Sequence, residues 1–452
     1  MNQATTFALI TFAITYILIF AFQKIRPYVA IASAIVFIAV GSLNLVEGFS
    51  YDIFTGFGQI DWNVLLMIIG TMGTVQLFID SNMPNLLSDI ILSKVKSVKW
   101  MIVIMSLFAG IISAFVDNVA TVLMIAPVAL AICKKLGINP TATIICISIS
   151  SNLQGAATLV GDTTSILLAK AANLDFTDFF VTDGKLGMFF VTEAGAILAA
   201  LIILLMFNKE NGKIDVADRT VVEDKFPTYL LVLTIVFLIG TSFIPYKSNA
   251  ASGEFYKPEI SNGLICMFFF IVGLVRNCIK EGKLDSIGKA IDELDYYTLF
   301  LLLGLFIVIG GVEKAGVIKL LADKIFELCG GNTRAAVFAT YTIIVWVSVL
   351  LSAFIDNIPY VATMLPVVAF LNEQFVAAGL NISPNLLYFG LLVGATLGGN
   401  ITPVGASANI TGIGILRKEG YNVRAKDFMK YSVPFTLTAV ITGYVLVWLI
   451  WM

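Results

Sequence analysis

Long apolar runs separated by short polar stretches dominate the chain: Thr6 to Phe22, Val29 to Leu43, Val64 to Phe78, Met188 to Phe207, Tyr229 to Ile244, Gly263 to Leu274, Leu299 to Val312 and Pro434 to Met452. Most can cross a hydrocarbon layer about 30 Å thick at about 1.5 Å per residue; about eleven to thirteen segments can be counted, some too short to span alone. Strand-like alternation is absent, and a lipid-exposed backbone must satisfy its hydrogen bonds internally. The pattern therefore predicts an all-α polytopic membrane protein. The first run has no basic residue before it and no small-residue cleavage site, while Lys24 and Arg26 follow it. A retained helix is expected there.

The pattern repeats. Ser113-Ala114-Phe115-Val116-Asp117-Asn118-Val119 returns as Ser352-Ala353-Phe354-Ile355-Asp356-Asn357-Ile358, and Pro127-Val128 returns at the same offset as Pro366-Val367. Upstream, Asp61 precedes Gly70 by the interval that separates Asp295 from Gly304; downstream, Gly155 to Gly161 pairs with Gly399 to Gly405. Self-similarity on this scale predicts two copies of one structural plan. The expected organisation is an N-terminal helix at 1–26, a first repeat at 27–207, a charged cytoplasmic linker at 208–227 and a second repeat at 228–452.

Basic residues prefer cytoplasmic loops, so their placement tests orientation. Asn44 to Asn63, before the first copy, has no Lys or Arg, whereas Arg276, Lys280, Lys283 and Lys289 precede the second. Lys134 and Lys135 follow the first Asp-Asn segment where Asn372 and Glu373 follow the second. Acidic Asp175, Asp178 and Asp183 stand where the second copy has Arg417, Lys418, Arg424, Lys426 and Lys430. These three loop pairs predict inverted topology. Lys94, Lys96 and Lys99 and their counterparts Lys314, Lys319, Lys324 and Arg334 are basic in both copies, so one of these segments breaks the rule, as a segment lying flat at the interface would.

Composition agrees with lipid as the solvent: 58% of the residues are hydrophobic and 13% charged, with a mean hydropathy of +0.93. The cysteines form no CxxC pair and read as small buried hydrophobes. The chain has no histidine, so a transported proton would ride on a carboxylate, water or another group. Trp62, Trp100, Trp448 and Trp451 near segment ends read as interface anchors. No HExxH, GxSxG or GxxxxGK[ST] motif indicates an enzyme or an ATP-driven pump, and no cofactor or nucleic-acid partner is expected.

Interrupted hydrophobic segments in matching places point to a transporter site near the bilayer midplane. Asp117-Asn118 and Asp356-Asn357 lie in apolar stretches, where a carboxylate must be paired, protonated or wet. A helix cap or an interhelical hydrogen bond is the alternative for each. The segments from Ser151 to Ser165 and from Gly394 to Asn409 join helix breakers to neutral donors and acceptors, which suits unwound backbone lining a cavity. Helix N-termini there favour an anion, while carbonyls and Asp or Asn side chains can ligate Na⁺. Small-residue helix packing is the alternative for the glycines. Candidate substrate-binding residues are Asn152, Gly155, Thr158, Asn400, Thr402, Ser407 and Asn409.

The segments SAFVDNVATVLMIAPV, SAFIDNIPYVATMLPV, GAATLVGDTTS and GATLGGNITPVGASANITGIGILRKEGY resemble the paired signatures of the ion-transporter superfamily, in its arsenite-permease and P-protein branch with citrate-transporter-like domains. The resemblance covers both halves. It implies a homodimer in which each protomer has a scaffold and a mobile transport domain, two helical hairpins entering from opposite sides, and elevator-type movement. The run Gly161-Asp162-Thr163-Thr164-Ser165 departs from that branch and is similar to the sodium-proton antiporter branch, which makes Asp162 a third candidate ion ligand. Candidate coupling-ion residues are then Asp117, Asn118, Asp162, Thr163, Asp356 and Asn357, with Na⁺ or H⁺ as the ion. The function expected is secondary transport of a small anion or oxyanion coupled to that ion. Sodium-proton antiport is the alternative, and a channel or membrane enzyme fits less well.

Overall fold

A computed structural model describes residues 2–210, 212, 220–246, 255–281, 285–331, 333–380 and 382–452. Parts of the linker (211 and 213–219) and Lys283 lie outside the described residues. The first half forms α1 (Gln3–Ala21), α2 (Arg26–Ser42), α3 (Ile53–Gly58), α4 (Trp62–Asp80), α5 (Met83–Leu92), α6 (Val98–Ser113), α7 (Asn118–Lys135), α8 (Thr141–Gln154), α9 (Thr163–Ala172) and α10 (Met188–Met206). The second forms α11 (Phe226–Ser242), α12 (Ser261–Glu281), α13 (Asp285–Asp292), α14 (Tyr296–Lys314), α15 (Val317–Leu328), α16 (Arg334–Ser352), α17 (Asn357–Ala377), α18 (Asn385–Leu392), α19 (Ser407–Lys418) and α20 (Ala425–Trp451). Among the described residues, ten helices are long and apolar enough to cross a membrane, and shorter apolar helices accompany them.

The halves correspond helix by helix, from α1 with α11 to α10 with α20, and the correspondence extends to the caps. Asp61 accepts the Val64 amide at 3.0 Å to start α4, and Asp295 accepts the Thr298 amide at 3.0 Å to start α14. The halves also exchange contacts reciprocally: α4 packs on α12 and α14 packs on α2. Matched glycines permit both approaches. A Cβ on Gly70 would lie 2.4 Å from the Cys266 carbonyl carbon, and one on Gly304 would lie 2.6 Å from that of Ala30. Reciprocal contacts of this kind are what a two-fold axis produces, and here the axis relates inverted repeats within one chain.

Packing divides the helices into two bundles that each draw on both halves. One joins α1–α4 to α11–α14; the other joins α6–α10 to α16–α20. The short helices α5 and α15 connect them. On α5 the buried positions Pro84, Ser88 and Leu92 recur every fourth residue, leaving one apolar stripe against the protein. The basic pairs Lys94 and Lys96, and Lys319 and Lys324, sit beside or on these amphipathic helices, where the charge pattern departs from the orientation rule. Trp62 and Trp100 are exposed, but Trp451 is fully buried, with its ring 5.2 Å from that of Phe389, and is no interface anchor. The α18 helix delivers Phe389 into the space where the chain end packs.

Where the loop after α9 meets the loop before α12, Lys257 and Asp175 form a buried ion pair at 2.7 Å. The Lys257 ammonium also donates to the Thr241 carbonyl at 2.8 Å, and the Tyr246 hydroxyl donates to Asp175 at 3.0 Å. Burial, and then the adjacent Asp175 carboxylate, hold the Tyr246 hydroxyl above its ordinary pKa, so it stays a donor. Removing one partner of a buried pair leaves an uncompensated charge and costs about 3–5 kcal/mol. Lys257→Met is therefore expected to lower the thermal unfolding midpoint in detergent, with much of the loss recovered in Lys257→Met/Asp175→Asn. Equal midpoints for wild type and Lys257→Met would show that the pair contributes nothing.

Candidate functional site

Four helix breaks meet at the centre of the second bundle. Ala114 to Asp117 separates α6 from α7, and Gly155 to Asp162 separates α8 from α9; Ala353 to Asp356 and Gly398 to Ala406 do the same in the second copy. The breaks within each copy are bonded to one another. The Thr158 hydroxyl donates to the Ala114 carbonyl, and the Thr402 hydroxyl donates to the Ala353 carbonyl. Ser165 donates to the Gly155 carbonyl at 3.1 Å, and Asn409 donates to the Gly399 carbonyl at 3.3 Å. Thr158 and Thr402, expected to face substrate, thus commit their only donors to backbone. They act as matched locks between each hairpin tip and its broken helix.

The copies meet through amides. Asn118 donates its Nδ2 to Asn152 Oδ1 at 3.0 Å, and Asn152 donates in turn to Asn400 Oδ1 at 3.1 Å and the Thr396 carbonyl at 2.8 Å. Asn400 donates to the Ile149 carbonyl at 2.8 Å. Asn152, Asn400 and Asn409 have no exposed surface. These neutral groups connect α8 directly to the break between α18 and α19.

Three carboxylates surround this network, each in a different condition. Asp117 caps α7, accepting the Val119 and Ala120 amides at 3.0 and 3.2 Å, and makes no salt bridge among the described residues. Asp356 caps α17 through the Ile358 amide at 3.2 Å, and its other oxygen accepts Arg26 Nη1 at 3.0 Å and Ser407 at 3.3 Å. Asp162 occupies the cap position of α9 without capping it. Its carboxylate accepts Thr164 at 2.8 Å and Asn357, from the other copy, at 3.1 Å. Thr163 begins α9 beside it and is buried. A duplicated cap accounts for part of what Asp117 and Asp356 do, but nothing of what Asp162 does.

Two residues were beyond the reach of sequence spacing. Arg26 lies 330 positions from Asp356, so a search for basic residues near the Asp-Asn motifs passes over it. Gln154 is buried against Gly110 of α6 with both amide atoms unpartnered among the described residues, and the Ser113 hydroxyl at the end of α6 is unpartnered as well. Its place within the stretch from Ser151 to Ser165 was the available signal. Unmet buried polar groups at a helix break mark where water or a solute would be held.

Ten spanning helices among the described residues and paired broken helices around buried neutral amides and carboxylates are the architecture of a membrane transporter. The chain belongs to the citrate transporter (CitMHS) family, whose profile matches residues 16–394. It is 30% identical over 453 residues to an uncharacterized transporter of Mycobacterium tuberculosis, covering 98% of this chain and 97% of that protein. It is 26% identical to the human P protein, over 85% of this chain and 53% of the P protein. Two solved structures share the fold at 16% identity and a TM-score of 0.54. The Alcanivorax borkumensis YdaH transporter matches over 87% of this chain and 85% of its own, and Neisseria gonorrhoeae MtrF, an antimetabolite efflux pump, over 92% and 84%.

Proposed function

We propose that this protein is a cation-coupled secondary transporter of a small anion, a carboxylate or an oxyanion. The observation that carries the reading is the junction of the two copies, where neutral amides form a continuous buried network flanked by carboxylates in unequal conditions. Neutral amides and the α9 and α19 N-termini suit an anion, while the Asp162 and Asp117 carboxylates, without basic partners among the described residues, suit Na⁺ or H⁺. The citrate transporter family supports an organic anion as the first substrate to try. Scaffold and transport roles fall to the α1–α4/α11–α14 and α6–α10/α16–α20 bundles respectively, and elevator movement of the second past the first is part of the proposal. So is a homodimer held through the first bundle.

Uptake of radiolabelled citrate, arsenite or phosphate into liposomes, with and without Na⁺ and pH gradients, tests the reading. Saturable, ion-dependent uptake of one of these is expected. Sodium-proton antiport is favoured by one observation, the absence of a basic partner for Asp162 among the described residues. Na⁺-driven movement of an internal pH dye with no solute uptake would establish it instead.

A further inference from the structure

Arg26 is 3% exposed, yet only part of its guanidinium is satisfied. Nε donates to the Ile19 carbonyl at 3.1 Å and Nη1 to Asp356 at 3.0 Å; the Tyr297 hydroxyl lies beside the guanidinium, and Nη2 makes no well-formed hydrogen bond among the described residues. A buried guanidinium with unmet donors is a poorly stabilised charge, and the pair it makes is one that a competing cation can replace. The two partners also stand on different bundles. The bond to Ile19 ties Arg26, at the start of α2, to the last turn of α1, while Asp356 starts α17 and shares Ser407 with the start of α19. Any sliding of one bundle past the other separates them.

The corresponding carboxylate of the first copy, Asp117, has the same capping geometry and no salt bridge among the described residues. Arg26 is thus an addition to a duplicated plan, present at one tip and missing from the other. The oxygen atoms around Asp356, its own Oδ2 and the Ser407 hydroxyl, are the hard donors that a small cation such as Na⁺ takes.

We propose that Arg26 is a tethered internal cation that occupies Asp356 in this conformation and is exchanged there for Na⁺ when the bundles move apart. The inference rests on the cation-coupled reading above and assigns Arg26 a positioning role in it. It explains why a carboxylate in the transport bundle carries a dedicated partner from the scaffold. In the arrangement seen here the tip is already neutral, so the ion need not be present; in the other it must come from solution.

The experiment is equilibrium binding of ²²Na⁺ to the purified full-length protein, for wild type, Arg26→Gln, Arg26→Lys, Asp356→Asn and Arg26→Gln/Asp356→Asn. Removing an internal competitor should strengthen Na⁺ binding by about tenfold, within the usual range of such couplings. Arg26→Gln should show this gain, and Arg26→Gln/Asp356→Asn should lose it. If Arg26→Gln does not fold, Arg26→Lys, which keeps the charge but loses the bond to Ile19, should show a smaller gain in the same direction. Unchanged Na⁺ affinity in the folded arginine variants would overturn the proposal and leave the pair a structural one. The underlying transport reading fails separately, when wild-type liposomes show no ion-dependent flux under any gradient.

Discussion

Asp162→Asn is expected to lower ion-coupled flux in liposomes by about a hundredfold or more while leaving the protein as stable as wild type. The substitution keeps the side-chain shape and an oxygen able to accept from Thr164 and Asn357, so the two hydrogen bonds at 2.8 and 3.1 Å can persist. What it removes is the negative charge. Charge-assisted contacts are worth about 1.5–3 kcal/mol each, and each 1.36 kcal/mol is about a factor of ten, so losing an ion ligand of this kind reaches about two decades. Stability should hold or rise, because an unpaired buried carboxylate is replaced by a neutral group. Flux at the wild-type level in Asp162→Asn would remove Asp162 from the proposed coupling site and leave Asp117 as the remaining carboxylate there without a basic partner among the described residues. Asp117→Asn is the paired comparison, since asparagine is as good a cap and any loss of flux then reports charge.

The contrast between these aspartates was only half legible in the sequence. Repetition of Asp-Asn, and of the Gly155–Gly161 spacing as Gly399–Gly405 further along each copy, located the four helix breaks, because breaks are made by local residue chemistry. The caps at Asp61 and Asp295 were recoverable for the same reason. What a carboxylate does inside its break depends on residues brought from elsewhere in the chain. Asp356 meets an arginine from the first helical turn of α2, and Asp162 meets an asparagine from the other copy; neither pairing has any signature in local sequence. The loop pairs that are basic in both copies fall on or beside α5 and α15, whose amphipathic faces follow rules other than those for spanning helices. Trp451 departs from the interface pattern because a segment end need not lie at a membrane surface: Phe389 of α18 packs over its ring.

The departures from symmetry carry the chemical information. Thr158 and Thr402, Gly155 and Gly399, and Gly161 and Gly405 occupy equivalent places and make equivalent contacts, as a fold built twice requires. Asp162 stands opposite Ala406, and Asn400 opposite Ala156, so the first copy contributes a charge and the second an amide to one shared centre. Under the proposed function, a centre taking both an anion and a cation would use such a division, which two identical copies could not supply.

Alanine at Gly161 or Gly405 should disrupt the α6–α10/α16–α20 bundle strongly. A Cβ on Gly161 would lie 2.6 Å from the Gly155 carbonyl oxygen, 2.8 Å from that of Ser113 and 3.0 Å from that of Ala114. On Gly405 the distances are 2.6, 2.6 and 2.8 Å to the carbonyl oxygens of Gly399, Ser352 and Ala353. Every obstructing atom is backbone, so no side chain can rotate aside and the hairpin tip must move. Overpacking of this kind costs about 1–3 kcal/mol, and here it also pulls apart the contacts that Thr158 and Thr402 make across the same gap. Each variant should unfold at a lower temperature and lose flux, and Gly161→Ala/Gly405→Ala should not yield a folded transporter. Gly240→Ala and Gly414→Ala, where the added methyl meets nothing within 4 Å, are the controls and should be neutral or slightly stabilising in a helix. If Gly161→Ala matched these controls in both flux and midpoint, each hairpin tip would be free of its broken helix. The elevator reading would then lose the rigid connection by which tip, broken helix and bound ion travel together.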